Sequence, residues 1–236
     1  MTRRSLVPAA IVATVTVAAS AAPALAQAAR LSNETTFTRW THAATYAKVH
    51  ARPSRRARQV GRLRLLTEDG FPEVYVVLSD RRVRGVDWAR LRLPQRPNGV
   101  TGWVRRSTLG PFNMVHTQLV ANRSTLRITL YDHGRRRLRF PIGMGAPGTP
   151  TPTGSFWIRE KFHVNGGTLY GPRAMGTAAY SDVLTDWPGG GVIGIHGTDQ
   201  PWLIPGRPSH GCMRMHNGDI TRLYRHTPIG TPLLIK

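Results

Sequence analysis

Residues 196–220 read HGTDQPWLIPGRPSHGCMRMHNGDI. They hold Cys212, the only cysteine among 236 residues, within Ser-His-Gly-Cys and sixteen positions after His196. The apolar run Gly191-Val192-Ile193-Gly194-Ile195 leads into His196, so a strand delivers that imidazole on a rigid base. A lone thiol makes no internal disulfide. In an oxidising compartment it is exposed to oxidation and to intermolecular pairing. A chain that keeps one there either buries it or uses it.

The sequence around this stretch is β-rich. Leu126–Tyr131 alternates, Asp132-His133-Gly134 turns, and Arg137–Phe140 returns as a hairpin partner. Ser155–Ile158 and Leu233–Ile235 read as further strands. One short helix is expected from Asn217, which can cap it, with Asp219 in its first turn and Ile220, Leu223 and Tyr224 on one face. Nearer the N-terminus, Val74–Leu78, Arg90–Leu93 and Thr101–Val104 are short strands separated by turns such as Arg96-Pro97-Asn98-Gly99. Gly110-Pro111-Phe112-Asn113 reads as a boundary, and residues 27–44, Thr/Ala-rich and without period, read as a linker.

The first 26 residues carry Arg3 and Arg4, an Ala/Val-rich run and Ala24-Leu25-Ala26, the pattern of a cleavable signal peptide. That run is short for a membrane span. An exported protein in the periplasm or cell wall is therefore expected, by the Sec or the Tat route. Basic residues outnumber acidic ones 33 to 12, for a net charge of +21, and only Lys48, Lys161 and Lys236 are lysines. Such a charge favours polyanionic surroundings. For an exported chain these are anionic wall polymers or lipid headgroups rather than nucleic acid.

A cysteine nucleophile needs a base, donors for an oxyanion and an open approach. His196 is the candidate base. The Gly197 carbonyl can fix its tautomer by accepting from the second ring nitrogen. Gly211 permits an unusual φ, so N–H groups near His210, Gly211 and Cys212 can converge on one oxygen. Arg214 lies on the same side as Cys212 in an extended segment and can fork a substrate carboxylate. A mixed zinc site from His196, His210, Cys212 and His216 is the rival, but it lacks a second cysteine and any usual zinc spacing.

Ile-His-Gly, then Ser-His-Gly-Cys-Met-Arg-Met, closely resembles the signature of the YkuD-type L,D-transpeptidases. Gly148–Phe156 (GTPTPTGSF) resembles that family's second recurrent stretch, and the likeness covers roughly residues 113–236. Ala51-Arg52-Pro53-Ser54, Val60-Gly61 and Thr101-Gly102-Trp103-Val104 resemble a bacterial SH3-like domain. The fold implied is mainly β: a small SH3-like barrel over 45–112, then a β-rich catalytic domain over 113–236 with one or more short helices.

The resemblance implies enzymes acting on peptidoglycan stem peptides without metal or organic cofactor, and acylated by carbapenems. It implies Cys212 as nucleophile, His196 as base, Gly197 as orienting carbonyl, and His210 and Gly211 at the oxyanion. Arg214, Ser209, Tyr170 and Met175 are the substrate-binding candidates, with Ser209 also holding the loop. Pro150–Gly154 would lie near the cleft, and reads best as a rigid loop entering the strand at Phe156. Trp187 and Trp202 sit in loops that can act as lids. An L,D-carboxypeptidase, in which water resolves the thioester, and a non-catalytic wall-binding protein are the alternatives.

Overall fold

The computed structural model describes residues 28–164, 169–186 and 190–236. The expected signal peptide and Trp187 lie outside the described residues. A first sheet comprises β1 (Ala29–Arg30), β2 (Thr38–His42), β3 (Lys48–His50), β4 (Gln59–Arg62), β5 (Val74–Val83), β6 (Val86–Arg92), β7 (Thr101–Arg105) and β8 (Asn113–Val115). A second comprises β9 (Thr117–Asn122), β10 (Arg127–Asp132), β11 (Arg135–Pro141), β12 (Gly143–Gly145), β13 (Gly154–His163), β14 (Arg173–Tyr180), β15 (Val192–His196), β16 (Gly206–Ser209), β17 (Met213–Arg214) and β18 (Pro232–Ile235). The α-helix α1 (Asn217–His226) lies between β17 and β18. The fold is mainly β, as expected.

The first sheet is antiparallel in the order β4-β3-β7-β6-β5-β2-β8, with β1 added beside β5. The second runs β11-β10-β9-β18-β13-β14-β15-β17-β12-β16. Its β9/β18, β15/β17 and β12/β16 pairs are parallel.

The expected linker is not one. Residues 29–42 supply β1 and β2, and β2 pairs with both β5 and β8. Its fully buried positions are Thr38 and Thr41, on opposite faces, so the strand shows no apolar period. Thr41 Oγ1 reaches the carbonyls of Gly110 and Pro111, at 3.2 and 3.0 Å. A buried hydroxyl satisfied in this way costs little. The first sheet also runs past the expected boundary, because β8 at 113–115 completes it.

β5 joins the two halves. Val74 and Val76 pack into the core of the second sheet, with Leu119, Ile128 and Trp157 among others. Tyr75 and Val77 face a separate core with Val49, Leu91 and Val104. A strand buried on both faces is apolar at successive positions, which accounts for the Val-Tyr-Val-Val run. Trp157 Nε1 donates to the Val74 carbonyl at 2.8 Å across this junction.

Polar contacts join the halves as well. Arg159, fully buried on β13, donates to Glu73 Oε1 and Oε2 at 2.8 and 2.6 Å and to Glu68 Oε2 at 2.8 Å. Arg64 closes the set on Glu73 and Glu68, at 2.9 and 2.8 Å. Burial alone would raise the Glu68 carboxyl, but the Arg159 charge and the hydrogen bonds from Tyr180 and Arg64 outweigh it and hold it down at about 2. Further along, Arg96 in the β6–β7 turn donates to the carbonyls of Ser181, Leu184 and Gly190, at 3.1, 3.0 and 2.8 Å through Nη2. Asn98 in the same turn exchanges two hydrogen bonds with the Tyr180 backbone. This turn of the first sheet thus grips the connection from β14 to β15, the strand that ends in His196.

The helix α1 buries Ile220 and Leu223 as its spacing requires. Asn217 is not its cap. His216 occupies the N-cap position without a side-chain bond, and the Asn217 amide is used elsewhere. Lys161 Nζ donates to the carbonyls of Tyr224 and Thr227 at 2.7 and 2.9 Å, a cation at the negative end of the helix.

Candidate active site

Parallel pairing of β15 with β17 sets Ile195 beside Met213 and His196 beside Arg214. Cys212 immediately precedes β17, so the thiol and the imidazole come from neighbouring segments. The Gly194 N–H donates to Cys212 Sγ at 3.3 Å. A methyl group on Gly194 would lie 3.9 Å from both Cys212 Sγ and His196 Cδ2. The thiol and the Cδ2–Nε2 edge of the ring therefore flank one residue, and Gly194 leaves the space between them open.

His196 is buried, and its Nδ1 lies 2.6 Å from the Gly197 carbonyl. A carbonyl only accepts, so Nδ1 carries the proton and Nε2 is left with its lone pair free. Burial lowers the His196 pKa to about 4; the Gly197 hydrogen bond opposes this and the Arg214 charge adds to it. Burial also pushes the Cys212 thiol up, against the Gly194 N–H and the Arg214 charge, which favour thiolate. Both shifts favour the neutral forms, imidazole and thiol, over an imidazolium–thiolate pair.

Gly197 is held by close approach. A Cβ there would overlap Asn217 Oδ1. That oxygen accepts from the Thr198 N–H at 2.9 Å, which is the use the Asn217 amide finds in place of capping. It fixes the turn that presents the orienting carbonyl.

The loop that carries Cys212 is bonded internally. Ser209 Oγ donates to the Cys212 carbonyl at 2.6 Å and accepts from the Gly211 N–H at 3.2 Å. Ser209 is buried, lines the cleft beside Cys212, and spends its hydroxyl on the loop. The Gly211 N–H, expected among the oxyanion donors, points at this hydroxyl instead. Thr151 lies beneath. Its hydroxyl donates to the Gly211 carbonyl at 2.7 Å and accepts from the Gly145 N–H at 2.9 Å. The Pro150–Gly154 segment is thus a buttress for the loop, a role its sequence marks only as rigidity.

Gly211 has φ of +122°, and a Cβ would meet Ile193 Cδ1 at 2.8 Å. Gly211→Ala is expected to cost about 1–3 kcal/mol through backbone strain. The measurement is a urea titration. An unchanged midpoint would mean that the loop has another conformation open to it.

A cleft of about 150 Å³ opens over these groups, walled by Leu169, Tyr170, Ile193, His196, Cys212 and Arg214 among others. Larger cavities, of about 450 and 320 Å³, lie on the first sheet and do not reach the thiol. The Tyr170 ring stands edge-on to His196, centroids 4.8 Å apart, and is 43% exposed. Arg214 is 9% exposed; its Nη1 donates to Gln200 Oε1 at 3.0 Å, and its Nε has no partner. Among the described residues no ion pair includes it. Exposed His210 lines the same cleft.

Met175 does not belong with the substrate-binding candidates. It is fully buried on β14, opposite Ile195, within the core. Trp202 is 75% exposed on the 3-10 turn Pro201–Leu203 and is not part of the cleft wall. Among the described residues no three His, Cys, Asp or Glu side chains gather as a metal site.

A family model, the L,D-transpeptidase catalytic domain (YkuD), matches residues 116–235. The chain belongs to this family. Its catalytic domain begins where the first sheet ends, at the β8–β9 junction. Among curated relatives, the "Probable L,D-transpeptidase YbiS" of Escherichia coli K12 is 30% identical over 135 residues, 50% of this chain and 44% of that protein. The "Probable L,D-transpeptidase ErfK/SrfK" of Salmonella typhimurium LT2 is 29% identical over 161 residues, 61% of this chain and 50% of that protein. The chain thus spans about half the length of these relatives.

A cysteine-to-serine mutant of the Enterococcus faecium L,D-transpeptidase is a solved structure 26% identical to this chain. It covers 51% of this chain and 49% of its own, with a TM-score of 0.38. An L,D-transpeptidase from Mycobacterium tuberculosis H37Rv is 18% identical, covers 69% of this chain and 90% of its own, and has a TM-score of 0.43.

Proposed function

We propose that the protein is an exported peptidoglycan L,D-transpeptidase that uses Cys212 as its nucleophile. The observation that carries this reading is the pairing of one thiol with one buried imidazole. The imidazole keeps a proton on Nδ1 through the Gly197 carbonyl and leaves Nε2 free. In this reading His196 takes the Sγ proton as sulfur attacks the carbonyl between the third stem residue and D-alanine. Sulfur forms the C–S bond, and the tetrahedral oxyanion rests on the Cys212 N–H, with His210 beside it in the loop. Collapse breaks the C–N bond. The proton on His196 goes to the leaving amine of D-alanine, and a thioester remains.

A side-chain amine from the third residue of a second stem then attacks the thioester and gives a 3→3 cross-link. His196 receives the amine proton and returns it to sulfur. No cofactor takes part. Arg214, buried and without a carboxylate of its own, supplies the fork for an acidic group of the stem. Tyr170 covers the imidazole from the open side. The same thiol opens the lactam carbonyl of a carbapenem. In this reading the first sheet contains the SH3-like module and serves attachment to the wall.

The test is product mass spectrometry with a purified tetrapeptide muropeptide. Loss of D-alanine together with a cross-linked dimer is expected. Loss of D-alanine without dimer, even with excess acceptor amine, would make the protein an L,D-carboxypeptidase. No turnover and no acyl adduct on reduced protein would leave a wall-binding protein.

A further inference from the structure

β10 and β11 form a hairpin at one end of the second sheet. Ile128 and Leu130 of β10 face the core, so Arg127, Thr129 and Tyr131 face outward. On β11 the ladder sets Arg139 opposite Thr129, and Leu138 opposite Leu130. Then the register shifts. Tyr131 pairs with Arg136, and Arg137 is the extra residue. The bulge sorts the arginines. Arg137 goes to the side of Asp132, with Nε 4.0 Å from its carboxylate. Arg136 joins Arg139 and Arg127 on the outer face.

Lys236 comes to the same face from the end of β18, whose backbone pairs along β9. Together they line a groove of about 250 Å³ that contains no aspartate or glutamate. Arg127, Arg136, Arg139 and Lys236 are all exposed, and among the described residues no ion pair includes any of them. The basic surface continues. Arg207 Nη2 donates to the Arg123 carbonyl at 2.8 Å, and Arg207 lies two residues before Ser209 of the nucleophile loop.

We infer that this groove binds a linear phosphodiester polymer of the poly(glycerol phosphate) kind. Four cations without acidic partners, in a groove without acid, hold repeated anions. Guanidinium groups fit phosphate oxygens as forks. No exposed large apolar side chain borders the groove to enter a lipid layer, and Tyr131 is the only ring in its wall to stack a base. Binding rests on these residues alone. Its use, holding the enzyme against the wall with the basic track running toward Ser209, rests on the proposed function.

The experiment compares two triple variants of the full chain. Arg127→Gln/Arg136→Gln/Arg139→Gln empties the groove of arginine. Arg55→Gln/Arg56→Gln/Arg58→Gln removes the same charge from an exposed turn of the first sheet. Binding to labelled poly(glycerol phosphate) is followed by anisotropy across a salt series. D-alanine release from a soluble muropeptide is measured alongside, so that loss of binding and loss of catalysis are read separately.

The groove variant is expected to lose at least about tenfold in affinity, and its log–log salt slope to flatten by about two to three. The control is expected to change by less than about twofold. Release of D-alanine should stay near the parent rate in both. Equal losses in the two variants would reduce the effect to bulk charge and overturn the site. Tighter groove-dependent binding to single-stranded DNA or to anionic vesicles would overturn the polymer.

Discussion

Cys212→Ala is expected to lower the acylation rate by about a million-fold, the scale seen when a covalent nucleophile is removed from a working set. No other thiol is present to replace it. The measure is the adduct mass after incubation with a carbapenem, because that reading needs no acceptor. A thioester-sized adduct on the alanine variant would end the cysteine mechanism. The pH dependence of the parent tests the resting state. With His196 lowered to about 4 and the thiol raised, both partners are neutral through the neutral range.

Proton transfer then accompanies attack, and the second-order acylation rate should be level from about pH 5 to pH 8. As pH falls through about 4, His196 takes a proton, the base is lost, and the rate falls with it. A standing thiolate–imidazolium pair would behave otherwise. The rate would rise and fall in a bell whose limbs bracket neutrality, and such a bell would discard the neutral pair.

The residues that meet at this site are legible in the sequence because their placement is local. A strand ending at His196, and a glycine-loop carrying Cys212, are each defined within a few residues. What holds them is not local. Asn217 has the residue type and position of a helix cap, yet Gly171 and Gly197 come so close that its amide is drawn to the Thr198 N–H. Thr151 supports Gly211 from sixty positions away in the chain. Met175 sits in a strand of small residues that gives no sign of which face is the core, and burial settles it.

The first sheet divides in the same way. Its apolar strands are readable, and the run at Val74–Val77 carries the mark of burial on both faces. β2 is not readable, because its buried residues are the threonines Thr38 and Thr41, and the Thr41 hydroxyl finds its carbonyl partners only in the folded chain. The turn at Arg96 looks like any Pro-Asn-Gly turn until the carbonyls of Ser181, Leu184 and Gly190 are seen around its guanidinium.

Arg159→Met is expected to cost about 3–5 kcal/mol of stability. The reason is what remains rather than what is removed. Glu73 would keep a fully buried carboxylate, with Arg64, itself 40% exposed, as its remaining cation. Glu73→Leu alone leaves Arg159 buried beside a single carboxylate, Glu68, whose side chain is 22% exposed, and should cost a similar amount. The double variant leaves neither charge stranded and keeps the Arg64–Glu68 pair, so it should recover most of the loss.

Urea titrations of the four proteins give the coupling directly. They also test how the halves are joined. β5 contributes to both cores, and Arg159 on β13 reaches acids that belong to the first sheet's half. Unfolding should therefore be a single transition in every variant, with the slope of the whole chain. Two transitions, with only the first shifted by Arg159→Met, would mean that the first sheet is a detachable module. In that case its turn at Arg96 could not steady the strand that carries His196. One transition would instead make the first sheet part of the frame of the catalytic cleft, because removing it would strip Val74 and Val76 from the core beneath Trp157.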